Sequence, residues 1–386
     1  MGSPTKITVA HASVGSGHRI AAESVAEQLA TSFPDARIDV LDVLAFGSVR
    51  VSGNTASTAF SGRTAPLYNA VWGNAGIGRF SMAASRPVLS LAYRRFTAWL
   101  AENSPDVVIA THALAANLAV QATQRPALSH IPIVAVATDY GLHGFWPHRG
   151  LALFCVADES ERDELLRRGT PGSDIAITGI PIRAQFEAEL DRAQSRRRLG
   201  LPSDGRVILA LAGATQPGPY ARFKSSLAIT LPTIAALPGT TIAVVTGRDD
   251  VFADELRSRV AGFGSKNVRI LGYVERMAEA MCSADLGICK PGGLVTAECV
   301  AVGLPLVLVG PTAGQERANA KSLATAGVAV YDDDPRRLAE VVRKTLGRTG
   351  KIEQMHEAAH ALARPRAARA VAERIERLLS DEPVEL

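Results

Sequence analysis

Lys290-Pro291-Gly292-Gly293 interrupts the apolar run DLGIC, and a stretch with the composition of a helix follows from Thr296 to Val302. A glycine turn that opens a helix leaves first-turn N–H groups and the positive end of the helix dipole facing the turn. That arrangement suits an anion such as a diphosphate without a metal. Gly292, Gly293 and Leu294 supply the backbone that such an anion would meet. Glu298, in the first turns of the same helix, is placed for a hydroxyl pair such as a ribose beside the phosphates. The next apolar run, LPLVLVG, leads into PTAGQERAN, where Gln315, Glu316 and Asn319 offer amide and carboxylate groups to sugar hydroxyls. One anion turn and one polyol turn at successive strand ends fit a nucleotide sugar. The bland alternative is that any parallel sheet needs glycine turns and that an early Glu merely complements a helix dipole.

Proton-transfer chemistry is concentrated in the first half. The strand KITVAHA runs into SVGSGH, which puts Gly17 and His18 at the start of a helix. The helix dipole disfavours a protonated imidazole there, leaving His18 available as a base near neutral pH, where an unperturbed histidine titrates at about 6.5. The competing role is a helix cap or a bond to a backbone carbonyl. After PIVAVAT comes DYGLHGFWPH, with Asp139 as a general base or the orienter of an imidazole. His143 and Trp146 lie in the same run, whose aromatics would stack on a sugar or hold a lipid, and His112 at the end of DVVIATH is placed to join them. None of these residues has metal-ligand spacing, so no zinc is expected. The Gly15-x-Gly17 turn with Asp42 invites comparison with a dinucleotide fingerprint. Ile20 stands where the third glycine belongs, which argues against a nicotinamide or flavin.

The elements that must position these groups follow one pattern. ARIDVLDVL, DVVIATH, PIVAVATD and ALFCVAD alternate with helical stretches, the signature of a doubly wound parallel sheet. The pattern restarts at RVILALAG, whose end Gly213-Ala214-Thr215-Gln216-Pro217-Gly218 reads as a second phosphate-type turn, with Thr215, Gln216 and backbone amides as donors. With 386 residues, two domains are expected, 1–185 and 204–365, joined through the charged stretch EAELDRAQSRRRLGLPSDG. The last helix, within 366–386, is placed to return to the first domain.

Composition sets further bounds. A net charge of +4 with 21% charged residues is too small an excess to point to nucleic acid. Cys155, Cys282, Cys289 and Cys299 are scattered through mostly apolar runs, as expected for reduced thiols in a cytoplasmic protein. MGSPTKITVAHA enters a strand directly without a signal-peptide pattern, and no apolar run approaches a membrane span. Residues 43–101 differ in kind, having no Asp or Glu, six arginines and eight Phe, Tyr or Trp residues. Such a segment fits peripheral contact with an anionic membrane, at the inner face of the plasma membrane, or a cover over a hydrophobic acceptor. Buried helices with solvated arginines are the alternative for its later half.

The stretches ASVGSGHRIAAE, TDYGLHGFWPH, ITGIPIR, LGYVERMAEAMCSADLGICKPGGLVTAE and GPTAGQERANA, in this order and spacing, resemble glycosyltransferase family 28. The likeness is to its monogalactosyldiacylglycerol synthase and processive diacylglycerol glucosyltransferase branch, and more distantly to the lipid II-forming N-acetylglucosaminyltransferase. It implies a GT-B fold, two Rossmann-like doubly wound domains facing a cleft. It also implies inverting, metal-independent transfer from a UDP-sugar to an acceptor hydroxyl, with no cofactor beyond the donor substrate. By the same resemblance Gly17 and His18 lie at the acceptor–sugar junction, with His18 or Asp139 as the base. Thr215 and Gly293 face the diphosphate, Val274 holds the uracil through its backbone, Glu298 binds the ribose, and Gln315, Glu316 and Asn319 bind the sugar. Ala214-Thr215-Gln216-Pro217 departs from the family's usual Gly-Ser-Gln-Gly turn, and residues 43–101 match least. A lipid acceptor is expected; a soluble secondary-metabolite acceptor, a nucleotide-sugar epimerase and a non-catalytic sensor remain alternatives.

Overall fold

The computed structural model describes residues 5–48, 85–147, 149–213, 219–310 and 314–380. Contacts divide the chain into two compact units, Met1–Ala184 with Arg366–Leu386, and Gln185–Pro365. Thr215 and Gln216, His148 and most of the basic insertion, residues 49–84, lie outside the described residues.

Unit 1 is built on β1 (Lys6–His11), β2 (Arg37–Asp42), β3 (Val107–Ala110), β4 (Ile133–Val136), β5 (Leu153–Val156) and β6 (Ile175–Ile177). They form a parallel sheet in the order β2-β1-β3-β4-β5-β6. Alternation along the inner strands sends side chains to two cores. Ile7, Val9, Val107, Ile109, Val134 and Val136 pack on one face with Val25 and Leu29 of the helix Gly17–Ser32. Ala10, Val108, Ala110, Ile133 and Ala135 pack on the other with Phe96 and Leu118. The terminal helix Ala367–Leu379 presents Val371, Ala372 and Ile375 at helical spacing to the first of these cores, alongside the helix Gly17–Ser32.

Unit 2 holds β7 (Arg206–Leu211), β8 (Thr240–Val245), β9 (Val268–Ile270), β10 (Leu286–Cys289), β11 (Leu306–Val309) and β12 (Ala329–Asp332). Their order is β12-β11-β10-β7-β8-β9, again parallel. Gly287 in β10 has no room for a side chain, since a Cβ there would come within 2.8 Å of Leu306 Cδ2. Residues 185–203 pack with this unit. The guanidinium of Arg196 is buried and donates to the carbonyls of Ser283, Ser203 and Gly205 and to Asp285 Oδ2 at 2.7 Å. A buried cation with so many acceptors is compensated, and it anchors the charged stretch to the sheet.

Each strand order has one place where the winding reverses, between β1 and β3 in unit 1 and between β7 and β10 in unit 2. Ligands of doubly wound sheets bind beyond the strand carboxyl ends at such points.

Candidate active site

At the unit 1 reversal point stands His18. β1 ends at His11, the chain turns through Gly15 with φ of 95°, and the helix Gly17–Ser32 begins with Ser16 as N-cap and no side-chain cap bond. His18 is thus not the cap of its own helix. Its Nδ1 lies 3.1 Å from the Thr111 carbonyl, which can only accept, so Nδ1 carries the proton. Thr138 Oγ1, 2.8 Å from the same nitrogen, accepts a share of that N–H, while its own hydroxyl points to the Thr111 carbonyl at 3.5 Å. The Thr111 hydroxyl closes the circuit by donating to the His18 carbonyl at 2.9 Å. Residues just past β1, β3 and β4 therefore fix one tautomer, with the Nε2 lone pair free of the proton. Burial holds the ring down to about 4, against the opposing effect of the Thr111 bond. His18 is consequently a neutral imidazole at neutral pH, and desolvation is the largest cause.

His112 and His143 have the opposite tautomer. His112 is the N-cap of the helix Ala113–Ala122, its Nδ1 accepting from Leu114 N–H at 3.1 Å. The His143 Nδ1 accepts from Phe145 N–H at 3.2 Å. Both rings therefore carry their proton on Nε2, and burial pushes His112 well below its ordinary value and His143 to about 3. The His112 ring meets His18 edge-on, centroids 4.5 Å apart. Trp146, expected on the acceptor side, is turned into the core against Phe154, because the Asn117 amide holds the Phe145 carbonyl at 2.6 Å and draws the loop inward. Asp139 follows Thr138 and is half-buried.

Glu161, not singled out by sequence, belongs to this neighbourhood. Asp158 caps the helix Glu159–Arg167 by accepting from Glu161 N–H, and Glu161 Oε2 accepts from Ala157 N–H at 2.7 Å. Burial, reinforced by the Asp158 and Asp139 charges, drives its carboxyl well above the ordinary range. The Asp-x-x-Glu spacing of a capping box was the available signal.

The reversal point of unit 2 carries the glycine turn. Gly292 caps the helix Gly293–Ala301, and the first backbone bond of the turn runs from Thr296 N–H to the Gly292 carbonyl. The N–H groups of Gly293, Leu294 and Val295 precede it and have no acceptor within the helix. Gly292 has φ of −75°, and a Cβ there would make only an ordinary 3.5 Å contact with Val295. Neither strain nor internal packing calls for glycine at 292. Glu298 is buried on the same helix.

The two strand-end turns are tied together twice. Lys290, after β10, is ion-paired with Glu316 in the first turn of the helix Gln315–Thr325, after β11. Asn319 is fully buried, and its amide donates to the Pro291 carbonyl at 3.0 Å. Asn319 thus holds the glycine turn in place, whereas Gln315 and Glu316 are only partly buried. Gly213, two residues past β7, closely approaches Gly247, where a Cβ would fall 2.9 Å from the Gly213 carbonyl oxygen. Val274 is half-buried and follows β9, on the far side of β7 and β8 from the glycine turn.

Two doubly wound parallel units in one chain are the architecture of the GT-B fold, and solved structures agree. Acinetobacter baumannii MurG matches with a TM-score of 0.61 at 19% identity, over 97% of this chain and all of that one. Anabaena HepE in complex with UDP and glucose matches with a TM-score of 0.54 at 15% identity, over 98% of this chain and all of that one. Residues 18–182 match the monogalactosyldiacylglycerol (MGDG) synthase family model, and residues 227–373 match the glycosyltransferase family 28 C-terminal domain. A processive diacylglycerol beta-glucosyltransferase of Bacillus licheniformis is 31% identical over 68% of this chain and 66% of its own length. Its Bacillus cytotoxicus counterpart is 30% identical over 70% and 68%. The chain thus spans about two thirds of the length of these curated relatives. It belongs to glycosyltransferase family 28, in the branch of the monogalactosyldiacylglycerol synthases and diacylglycerol glucosyltransferases, and is a glycosyltransferase.

Proposed function

We propose that this glycosyltransferase moves a hexose or N-acetylhexosamine from a UDP-sugar to the hydroxyl of a diacylglycerol-type lipid, by inversion and without a metal. The observation that carries the reading is the His18 circuit, which leaves a neutral imidazole with Nε2 available as a base. Nε2 takes the acceptor proton as the acceptor oxygen attacks the anomeric carbon and the bond to the β-phosphate oxygen breaks. UDP leaves with its charge stabilised by the N–H groups at Gly293 and Leu294 and by Thr215 and Gln216, beside the Lys290 cation. The absence of any internal need for glycine at 292 supports close approach of a phosphate there. Glu298 binds the ribose and Val274 the uracil; Gln315 and Glu316 bind the sugar, and Asn319 acts through the turn. The relatives' printed name supports both inversion and the lipid, since a β product from an α-linked nucleotide sugar requires inversion at the anomeric carbon.

Peripheral membrane contact belongs to this reading. In helical residues 85–92, Val88 and Leu91 are 70% and 68% exposed, with exposed Arg86, Arg94 and Arg95 nearby. Apolar side chains flanked by arginines suit an anionic interface. No helix among the described residues is long and apolar enough to cross a membrane. Replacing Val88 and Leu91 together by Asp is expected to weaken sedimentation with anionic vesicles while leaving UDP binding intact.

A mass-spectrometric screen tests the function. Purified protein is given a panel of UDP- and dTDP-sugars with diacylglycerol vesicles and soluble extracts. Hexose gain in the lipid fraction, lost in His18→Ala, is the expected result; gain confined to the soluble fraction would move the acceptor to a water-soluble molecule.

A further inference from the structure

The second half of the molecule carries a histidine pair that the transfer reaction does not use. We propose that His356 and His360 form a chelating site for one divalent transition-metal ion of the zinc class, with water completing its coordination.

The two residues stand four apart on the helix Lys351–Leu362, a spacing that puts both side chains on one face. The His356 Nδ1 lies 2.5 Å from the Gly303 carbonyl, which can only accept, so Nδ1 holds the proton and Nε2 holds the lone pair. His360 Nε2 lies 3.0 Å from that lone pair and donates to it. A ring oriented through Nδ1–H to a backbone carbonyl, with Nε2 presented outward, is the arrangement found around metal-bound histidine. With a Zn–N distance of about 2.0–2.1 Å, two nitrogens this far apart share one ion at an N–Zn–N angle of roughly 90°. The ion replaces the hydrogen bond between the rings. His360 moves its ring proton from Nε2 to Nδ1 and both Nε2 atoms coordinate, so the imidazoles stay neutral and only water leaves the ion.

Gly303 makes the arrangement possible. It has φ of 71°, and a Cβ there would fall 2.5 Å from His360 Nε2. Arg192 lies near enough to His360 to act on it electrostatically. Arg192 is the adverse charge here, and its guanidinium is ion-paired with Asp285 at 2.9 Å. Among the described residues no cluster of three or more His, Cys, Asp or Glu is assembled, so the pair leaves coordination positions open to water. Both ligands belong to the helix Lys351–Leu362, and the His356 Nδ1–H bond to the Gly303 carbonyl, just past the helix Gly293–Ala301, fixes one of the two rings before the ion arrives. The site stands apart from the transfer chemistry and does not depend on it.

The test uses the full chain without an affinity tag, stripped of metal and titrated with Zn2+ alone by calorimetry, with thermal unfolding followed in parallel. One ion per chain and a rise in Tm are expected. His360→Ala, at an exposed position, is expected to weaken binding by more than about tenfold and to abolish the Tm rise. His130→Ala, an exposed histidine of unit 1, is expected to change neither. Zn2+ binding by His360→Ala equal to wild type, or an equal loss in His130→Ala, would overturn the site.

Discussion

His18 and its two threonines make the sharpest claims at the scale of single residues. Because the ring is held near 4, the basic form is present throughout the neutral range. The acid limb of kcat/KM is therefore expected near pH 4, with no inflection at 6.5, and a pH–rate profile reads this directly. His18→Ala is expected to lower turnover by about 10²–10⁴-fold, the usual worth of a positioned base. Thr138→Val removes one of the two acceptors that fix the tautomer, and a loss of up to about tenfold in kcat is expected, with Thr138→Ser restoring it. Sequence alone pointed to His18, through its place after a glycine turn, but not to Thr111 or Thr138. Each threonine reads as an ordinary β-branched residue at a strand end. Their partnership depends on β1, β3 and β4 being neighbours, and strand order is not written in any local stretch.

At the scale of elements, the glycine turn is held by the helix that follows the next strand. Asn319 was read from its type as a sugar ligand, yet it is fully buried and bound to the Pro291 carbonyl. Replacing it by Ala leaves that carbonyl without the amide, at a cost of about 1–3 kcal/mol. The expected result is a lower Tm together with a raised KM for the UDP-sugar, whereas a direct sugar ligand would raise KM at unchanged Tm. Trp146 shows the same limit of reading by type. An aromatic in a loop of histidines looks like a platform, and only the packing of Phe154 and the pull of Asn117 show where the indole goes. The glycine turns, the strands and the capping of Glu159–Arg167 were open to sequence reasoning because each is specified within a few residues.

Over the whole molecule, alternating strands and helices, restarted after a charged stretch, were enough to read two doubly wound halves. A return of the last helix to the first domain was open to expectation, but the amphipathic pattern of Ala367–Leu379 does not say that it lies alongside the helix Gly17–Ser32. His18, His112 and His143 give unit 1 a shared pH response. Their folded values lie below the unfolded 6.5, so the unfolded chain binds more protons as pH falls. The stability they permit is complete above 6.5 and is lost progressively toward the folded values of about 4 for His18 and about 3 for His143. Each contributes at most about 1.4 kcal/mol per pH unit, and less for half-buried rings. Tm is expected to fall between pH 7 and 5, and to fall less in His112→Asn, which keeps a capping acceptor but cannot titrate.

The most direct measurement is the anomeric configuration of the product. Protein is incubated with 13C-labelled UDP-glucose, and in parallel with the galactose and N-acetylglucosamine donors, over diacylglycerol vesicles in EDTA. The one-bond C–H coupling at the anomeric carbon is then read by NMR. A β-linked glycosyl-diacylglycerol, formed in the presence of the chelator and lost in His18→Ala, is the predicted result. An α-linked product, UDP release with no lipid product, or undiminished synthesis by His18→Ala would contradict the account.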